Sequence, residues 1–203
     1  MKSVLISIKP QWCEKIASGR KTIEVRKSAP KEVPFKAYIY CTKDKPYLYR
    51  IDDDDNFELA RTLRAKVDGY VKDYNEQNGK VIGEFICNEI EEFHEWELSP
   101  QGKFAEFEEE RLKKFLSAAC LSIAEVVHYR ENLPYYKPLY GLHISDFKIY
   151  DKPKKLNEFK KPCPTKEKGD CLACDCLADN DYGGICTNFV TRPPQSYRFV
   201  EEI

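Results

Sequence analysis

No stretch of this chain approaches the roughly 20 consecutive apolar residues that a membrane-crossing helix needs. Met1 to Pro10 also lacks the long apolar run of a secretory signal. Both absences lead to the expectation of a soluble, cytoplasmic protein. A glycine-rich phosphate loop is missing, and so is a Gly-x-Ser-x-Gly elbow, which argues against the phosphate-loop and α/β-hydrolase classes. Histidine is scarce: His94, His128 and His143 stand apart, with no Cys or Asp at ligand or catalytic spacing, and read as structural or surface residues. An excess of one charge is lacking too, with 33 Lys and Arg against 34 Asp and Glu.

What the chain has is a hydrophobic fraction of 42% over 203 residues, enough for the packed core of one domain with insertions. Its charge is unevenly distributed. Residues 1–50 carry twelve cations against four acids, whereas residues 51–125 carry nine against nineteen. A basic front third can meet phosphate while the acidic middle faces away, although the charges can equally mix on a folded surface.

Several elements are legible from periodicity. Val4 to Ile8 alternates and reads as a strand. Pro10 suits a first helical position, Trp12, Cys13, Ile16 and Ala17 form one apolar helical face, and Gly19 stands where a helix ends in a left-handed residue. From Lys21 to Lys27 the period becomes two. Ala37 to Thr42 and Val81 to Cys87 are apolar strands, the latter behind an Asn78-Gly79 turn, and Glu89 to Glu97 continues more weakly. A polar insertion spans 52–79, with a short helix expected near Phe57 to Val67. Phe104, Phe107, Leu112, Phe115 and Leu116 mark an amphipathic helix, and Ser122 with Glu125 fits a capping box for another. Leu142 to Tyr150 reads as one strand, and Tyr197 to Val200 as a returning strand within 191–203. Many short strands with few helices predict an α+β fold around a small sheet or barrel.

The strip Gly19-Arg20-Lys21-Thr22-Ile23-Glu24-Val25-Arg26 concentrates the chemistry. Glu24 and Arg26 lie about 7 Å apart on one strand face. Lys21, at the strand entry, can reach the same space. A carboxylate between cations favours its ionised form and suits hydrogen-bonding a base edge or an exocyclic amine. The alternative is an exposed strand with cross-strand ion pairs.

Together with Ser7-Ile8-Lys9-Pro10 and Ile16, the pattern Gly19, Lys21, Glu24, Arg26 resembles the Gly-x-Lys-x-x-Glu-x-Arg signature of ASCH domains, and Ala37 to Cys41 and Gly79 to Phe85 fit the strands that follow it. The resemblance covers residues 1–150 with interruptions, and the final strand. It implies a PUA-like small β-barrel flanked by helices, with a cleft holding the motif and RNA or a nucleotide as ligand. Lys9, Gly19, Arg20, Lys21, Glu24 and Arg26 would bind it, with Gln195 and Ser196 bordering the cleft from a Pro-rich turn. Some members are hydrolases acting on N4-acetylcytidine or RNA. That reading would make Lys21 and Glu24 catalytic, but the amidohydrolase branch has a threonine nucleophile at the position of Glu24. A phage or prophage interaction protein is a third reading. Tyr38, Tyr40, Tyr47 and Tyr49, with Lys43, Lys45 and Arg50, offer either an aromatic-basic surface or core packing.

Cysteine falls in two groups. Cys13, Cys41, Cys87 and Cys120 are isolated in apolar surroundings and read as buried small hydrophobes. Cys163, Cys171, Cys174, Cys176 and Cys186 crowd into the segment 160–190. Cys171 and Cys174 form the C-x2-C clamp of a tetrahedral thiolate site, which Cys163 and Cys186 can complete, with Cys176 as alternate. A structural zinc would staple a segment that has no core of its own; a reduced loop is the alternative. Elemental analysis of the purified protein is expected to find about one zinc per chain, reduced by a Cys171→Ser, Cys174→Ser double variant; zinc-free wild type, prepared without chelator, would refute the staple.

Overall fold

The computed structural model describes residues 1–50, 57–60, 75–98, 105–162 and 188–202. Alternation builds its first sheet. In strand β1 (Lys2–Ile8), Val4, Ile6 and Ile8 enter one core while Leu5 enters another. Strand β3 (Phe35–Cys41) repeats the pattern, with Phe35, Ala37, Ile39 and Cys41 on the first side and Tyr38 and Tyr40 on the second. β1 and β3 pair in parallel from Lys2↔Phe35 to Ile8↔Cys41. Parallel neighbours need a crossover, and helix α1 (Pro10–Ala17) with strand β2 (Ile23–Arg26) lies in it. Strand β7 (Val81–Cys87) pairs antiparallel with β3, strand β10 (Ser145–Lys154) with β7, and strand β12 (Tyr197–Phe199) with β1. The resulting order is β10-β7-β3-β1-β12.

A second sheet has the order β2-β9-β8, with β9 at Leu139–His143 and β8 at Ile90–Phe93. One face is covered by helix α2 (Ala105–Ala119) and helix α3 (Ile123–Arg130). Ile23, Val25, Phe93, Leu112, Phe115, Ala119, Val126 and Leu139 form its core. Phe93 and Phe115 stack with ring centroids 4.7 Å apart, each burial contributing about 1.5–3 kcal/mol. α3 starts at Ser122, whose hydroxyl accepts the Glu125 N–H while Glu125 accepts from the Ser122 backbone. These bonds hold the Glu125 carboxyl below its usual value.

A smaller sheet joins strands β4 (Tyr47–Arg50), β5 (Phe57–Ala60) and β6 (Asn75–Glu76). Asn78 pins the turn after it. Its Oδ1 accepts the Leu48 N–H at 2.8 Å, its Nδ2 donates to the Asp44 carbonyl at 2.7 Å, and Gly79 takes φ +79°. Strands β11 (Phe159–Lys160) and β13 (Glu201–Glu202) pair near the chain end.

Four expectations change. Among the described residues the ladders form separate open sheets rather than a closed barrel. The reason lies in residues 142–150, which are two strands: His143 N–H donates to Glu89 and Ile144 N–H to Thr22, Asp146 takes φ +47°, and the chain passes from one sheet to the other. Phe57 to Ala60 is extended, not helical, because it pairs with β4 from Tyr47↔Ala60 to Arg50↔Phe57; residues 61–67 of that expected helix lie outside the described residues. Of the two readings open for the tyrosines, core packing holds for Tyr38, Tyr40 and Tyr49, at 3%, 2% and 3% exposure. Cys120 is half-exposed at φ +52° where α2 ends, unlike buried Cys13, Cys41 and Cys87.

Gly141 sits in β9 directly beneath α2. A Cβ there would meet Phe115 Cε2 at 2.7 Å and Ile23 Cγ2 at 2.9 Å. Gly141→Ala is therefore expected to lower stability by about 1–3 kcal/mol, read as a lower urea midpoint at unchanged m-value.

Candidate functional site

The end of α1 aims the signature residues. Ser18 N–H donates to Glu14 at 2.9 Å, Gly19 N–H to Ile16 at 3.0 Å, and Gly19 takes φ +71°, so the chain reverses and enters β2. A Cβ at Gly19 would meet nothing within 4 Å, so backbone conformation, not space, requires glycine. Lys21 N–H then bonds Lys15 and Thr22 N–H bonds Ala118, fixing the strand entry against α1 and α2.

β2 is buried on both sides. Ile23 and Val25 join the α2 core, and Glu24 and Arg26 point the other way. There Glu24 lies between two cations: its Oε1 is 3.0 Å from Arg26 Nε and its Oε2 is 3.4 Å from Lys21 Nζ. The three residues are 2% (Lys21), 6% (Glu24) and 7% (Arg26) exposed. The 3.0 Å approach is an ion pair without hydrogen-bond alignment, since Arg26 Nε has no hydrogen-bond acceptor. Lys21 Nζ also donates to the Ala119 carbonyl at 2.7 Å, at the C-terminal end of α2, where the helix dipole favours a cation. An Arg26 guanidinium nitrogen donates to the Ser7 carbonyl. The Trp12 ring lies 5.2 Å from Lys21 Nζ.

The C-terminal turn abuts this cluster. Ser7 Oγ donates to the Pro194 carbonyl at 2.7 Å, and the hydroxyls of Ser28 and Ser196 are 2.7 Å apart. Tyr129, from α3, stands over the end of β2, with Lys27 Nζ 5.2 Å from its ring. Burial pushes the Tyr129 phenol up, Arg26 draws it back, and Glu24 raises it again. Beneath the cluster Cys13 is a fully neutral thiol, driven well up by burial first, then by Cys41.

The structure thus brings Lys21, Glu24 and Arg26 together and sets Ser196 nearby through Ser28. The other described candidates are exposed rather than enclosed with the trio. Lys9 is exposed at the start of α1, Arg20 is exposed and pairs with Glu14, and Gln195 is exposed. Cys163, Cys171, Cys174, Cys176 and Cys186 lie outside the described residues. In sequence Trp12 reads only as part of a helix face, and Tyr129 carries no signal, because it approaches Arg26 across 103 positions of the chain.

A cavity of about 410 Å³ opens on the opposite face of β2, lined by Ile23, Glu91, Arg111, Phe115, Ala118 and His143. It does not reach Glu24.

The arrangement defines an ASCH-like fold. Three solved structures of one protein from Zymomonas mobilis share it. The crystal structure of its ASCH protein superposes with a TM-score of 0.51 at 16% identity, covering 98% of this chain and 88% of that one. Two mutant forms of the same protein give TM-scores of 0.50 at 16% identity, covering 99% and 98% of this chain and 91% and 89% of theirs. No protein-family profile and no curated protein matches this chain. Among the described residues no helix is long and apolar enough to cross a membrane.

Glu24 is the carboxylate that two buried cations share, so replacing it removes their common counter-charge. Glu24→Gln is expected to cost about 3–5 kcal/mol of stability, while Arg20→Ala at the exposed pair costs no more than about 1 kcal/mol; urea unfolding of both variants checks the contrast.

Proposed function

We propose that this chain binds RNA or a nucleotide at the Lys21–Glu24–Arg26 cluster. One observation carries the reading: buried Arg26 and Lys21 share the carboxylate of Glu24, and because Lys21 is further offset by the Ala119 carbonyl and by Glu125, it is the Arg26 guanidinium that has only part of a counter-charge where water is largely excluded. Buried charge without a counter-charge is unfavourable, and an incoming phosphate oxygen supplies that counter-charge. The guanidinium of Arg26 can present paired N–H donors to a phosphate, which an ammonium cannot. Glu24, an acceptor held in place from both sides, suits the exocyclic amine of a base. Tyr129, 37% exposed, and Lys27 stand beside the end of β2, where they would meet a ring and a sugar-phosphate.

A hydrolytic role has less support. Lys21 is already committed to the Ala119 carbonyl and to Glu24, which leaves it poorly placed to polarise a substrate.

The test is a salt titration of labelled single-stranded RNA and of a mononucleotide by fluorescence anisotropy. Wild type is expected to bind with affinity that falls as salt rises. Arg26→Lys keeps the charge and, at matched urea unfolding, is expected to weaken binding by about tenfold, losing paired donation. Negligible binding by wild type at low salt, or identical affinity for the two proteins, overturns the assignment.

A further inference from the structure

The three-stranded sheet collects exposed aromatic rings at one end. Because β2 and β8 both run antiparallel to β9, Arg26 lies opposite Tyr140, which lies opposite Glu92, and Phe93 lies opposite Leu139. The residues just beyond Arg26, just beyond Phe93 and just before Leu139 therefore emerge at the same sheet end. They are Lys27, the His94–Trp96 turn and the Tyr135–Lys137 loop. Trp96 is 49% exposed, Tyr135 64% and Tyr136 71%.

These rings are held, not loose. His94 stacks on Trp96 at 4.0 Å and 14°, and Tyr135 approaches Trp96 at 6.4 Å and 54°. The turn carrying Trp96 is closed by Glu97, which accepts the His94 N–H at 2.6 Å and pairs with Arg111. The loop carrying the tyrosines is braced from below by Arg130, itself 6% exposed, which donates to the Lys137 and Tyr135 carbonyls at 3.0 and 3.4 Å. Lys137 N–H closes the same turn on Pro134 at 2.9 Å. A buried arginine and a buried glutamate thus support solvent-facing rings.

We propose that Trp96, Tyr135 and Tyr136 form a stacking platform for single-stranded nucleic acid, continuing the strand path away from the Lys21–Glu24–Arg26 cluster; this extends the binding reading above. Flat rings with polar edges suit bases, since every base offers a π-face and stacking needs no sequence. Charge on this edge supports the same occupant: Lys27 and exposed Lys137 flank the rings and can hold backbone phosphate. The acids of the edge are partly engaged, Glu92 lying 3.9 Å from His94 Nε2 and Glu131 bonding His128 at 3.0 Å. A bound base over Trp96 displaces water from its open face while His94 keeps the other. Nucleotides beyond the one held at Glu24 would lie along this edge, so affinity grows with strand length.

The experiment compares a labelled single-stranded RNA decamer with a mononucleotide, using wild type, Trp96→Ala, Tyr135→Ala, Trp96→Phe and Arg26→Lys, each checked for wild-type urea unfolding. The expected result is decamer binding weakened by about tenfold in each alanine variant, largely restored in Trp96→Phe, with mononucleotide binding unchanged. Decamer binding should also quench tryptophan emission in wild type more than in Trp96→Phe. Unchanged decamer affinity in the two alanine variants overturns the platform and leaves the Glu24 cluster standing. Loss of decamer binding in those variants without any effect of Arg26→Lys keeps the platform and removes the cluster. No decamer binding by wild type, or a protein partner taking this edge in its place, overturns the platform.

Discussion

The pairing of one buried carboxylate with two buried cations governs how this chain is assembled around β2. Glu24 is held by Lys21 and Arg26 from opposite sides. Each cation is then tied to a different part of the fold. Lys21 reaches the last carbonyl of α2, and Arg26 reaches the β1 carbonyl of Ser7. The trio therefore joins β2 to α2 and β1 through charge-assisted hydrogen bonds. A register change of one residue would send Glu24 and Arg26 into the apolar core beneath α2 and expose Ile23 and Val25 to the charged side, so burial and charge fix the same register.

That constraint explains why so short a strand carries two functions. On one face, Ile23 and Val25 seal against Phe115, and Gly141 lets the helix approach. On the other, Glu24 and Arg26 sit among Trp12, Ser7 and the C-terminal turn. The cavity beneath α2 belongs to the first face. Its position there keeps that concavity apart from the charged trio.

Much of this was readable because it is local. Pro10, the Trp12–Cys13–Ile16 face and Gly19 announce a helix and its stop within ten residues, and the structure has all three. The alternation of β1, β3 and β7, and the Ser122–Glu125 box, are equally local. What could not be read depends on partners distant in sequence. Residues 57–60 have a helix-compatible pattern and became a strand only because β4 offers a free edge. Leu142 to Tyr150 alternates without interruption, yet the bonds from His143 and Ile144 divide it between two sheets. Tyr38 and Tyr40 fit either a surface or a core in sequence, and the distant Phe159, Val190 and Val200 decide for the core. The charged trio itself was visible as spacing; its enclosure was not, because Ser7, Ala119, Trp12 and Tyr129 come from four separate segments.

The same division separates the aromatic residues of the chain by role. Those within strands, such as Tyr38, Tyr40 and Tyr49, are consumed by cores, whereas those just past the strand ends remain open to solvent. Trp96 follows β8 by three residues and Tyr136 precedes β9 by three, so both fall beyond the last ladder pair, where no neighbouring strand can cover them. Exposure of large rings is costly unless something occupies them, and Arg130 and Glu97 are spent on holding these rings out rather than folding them in. Polar groups buried to support exposed apolar ones reverse the usual economy of a fold. These rings and Arg26 stand at the same end of the β2-β9-β8 sheet.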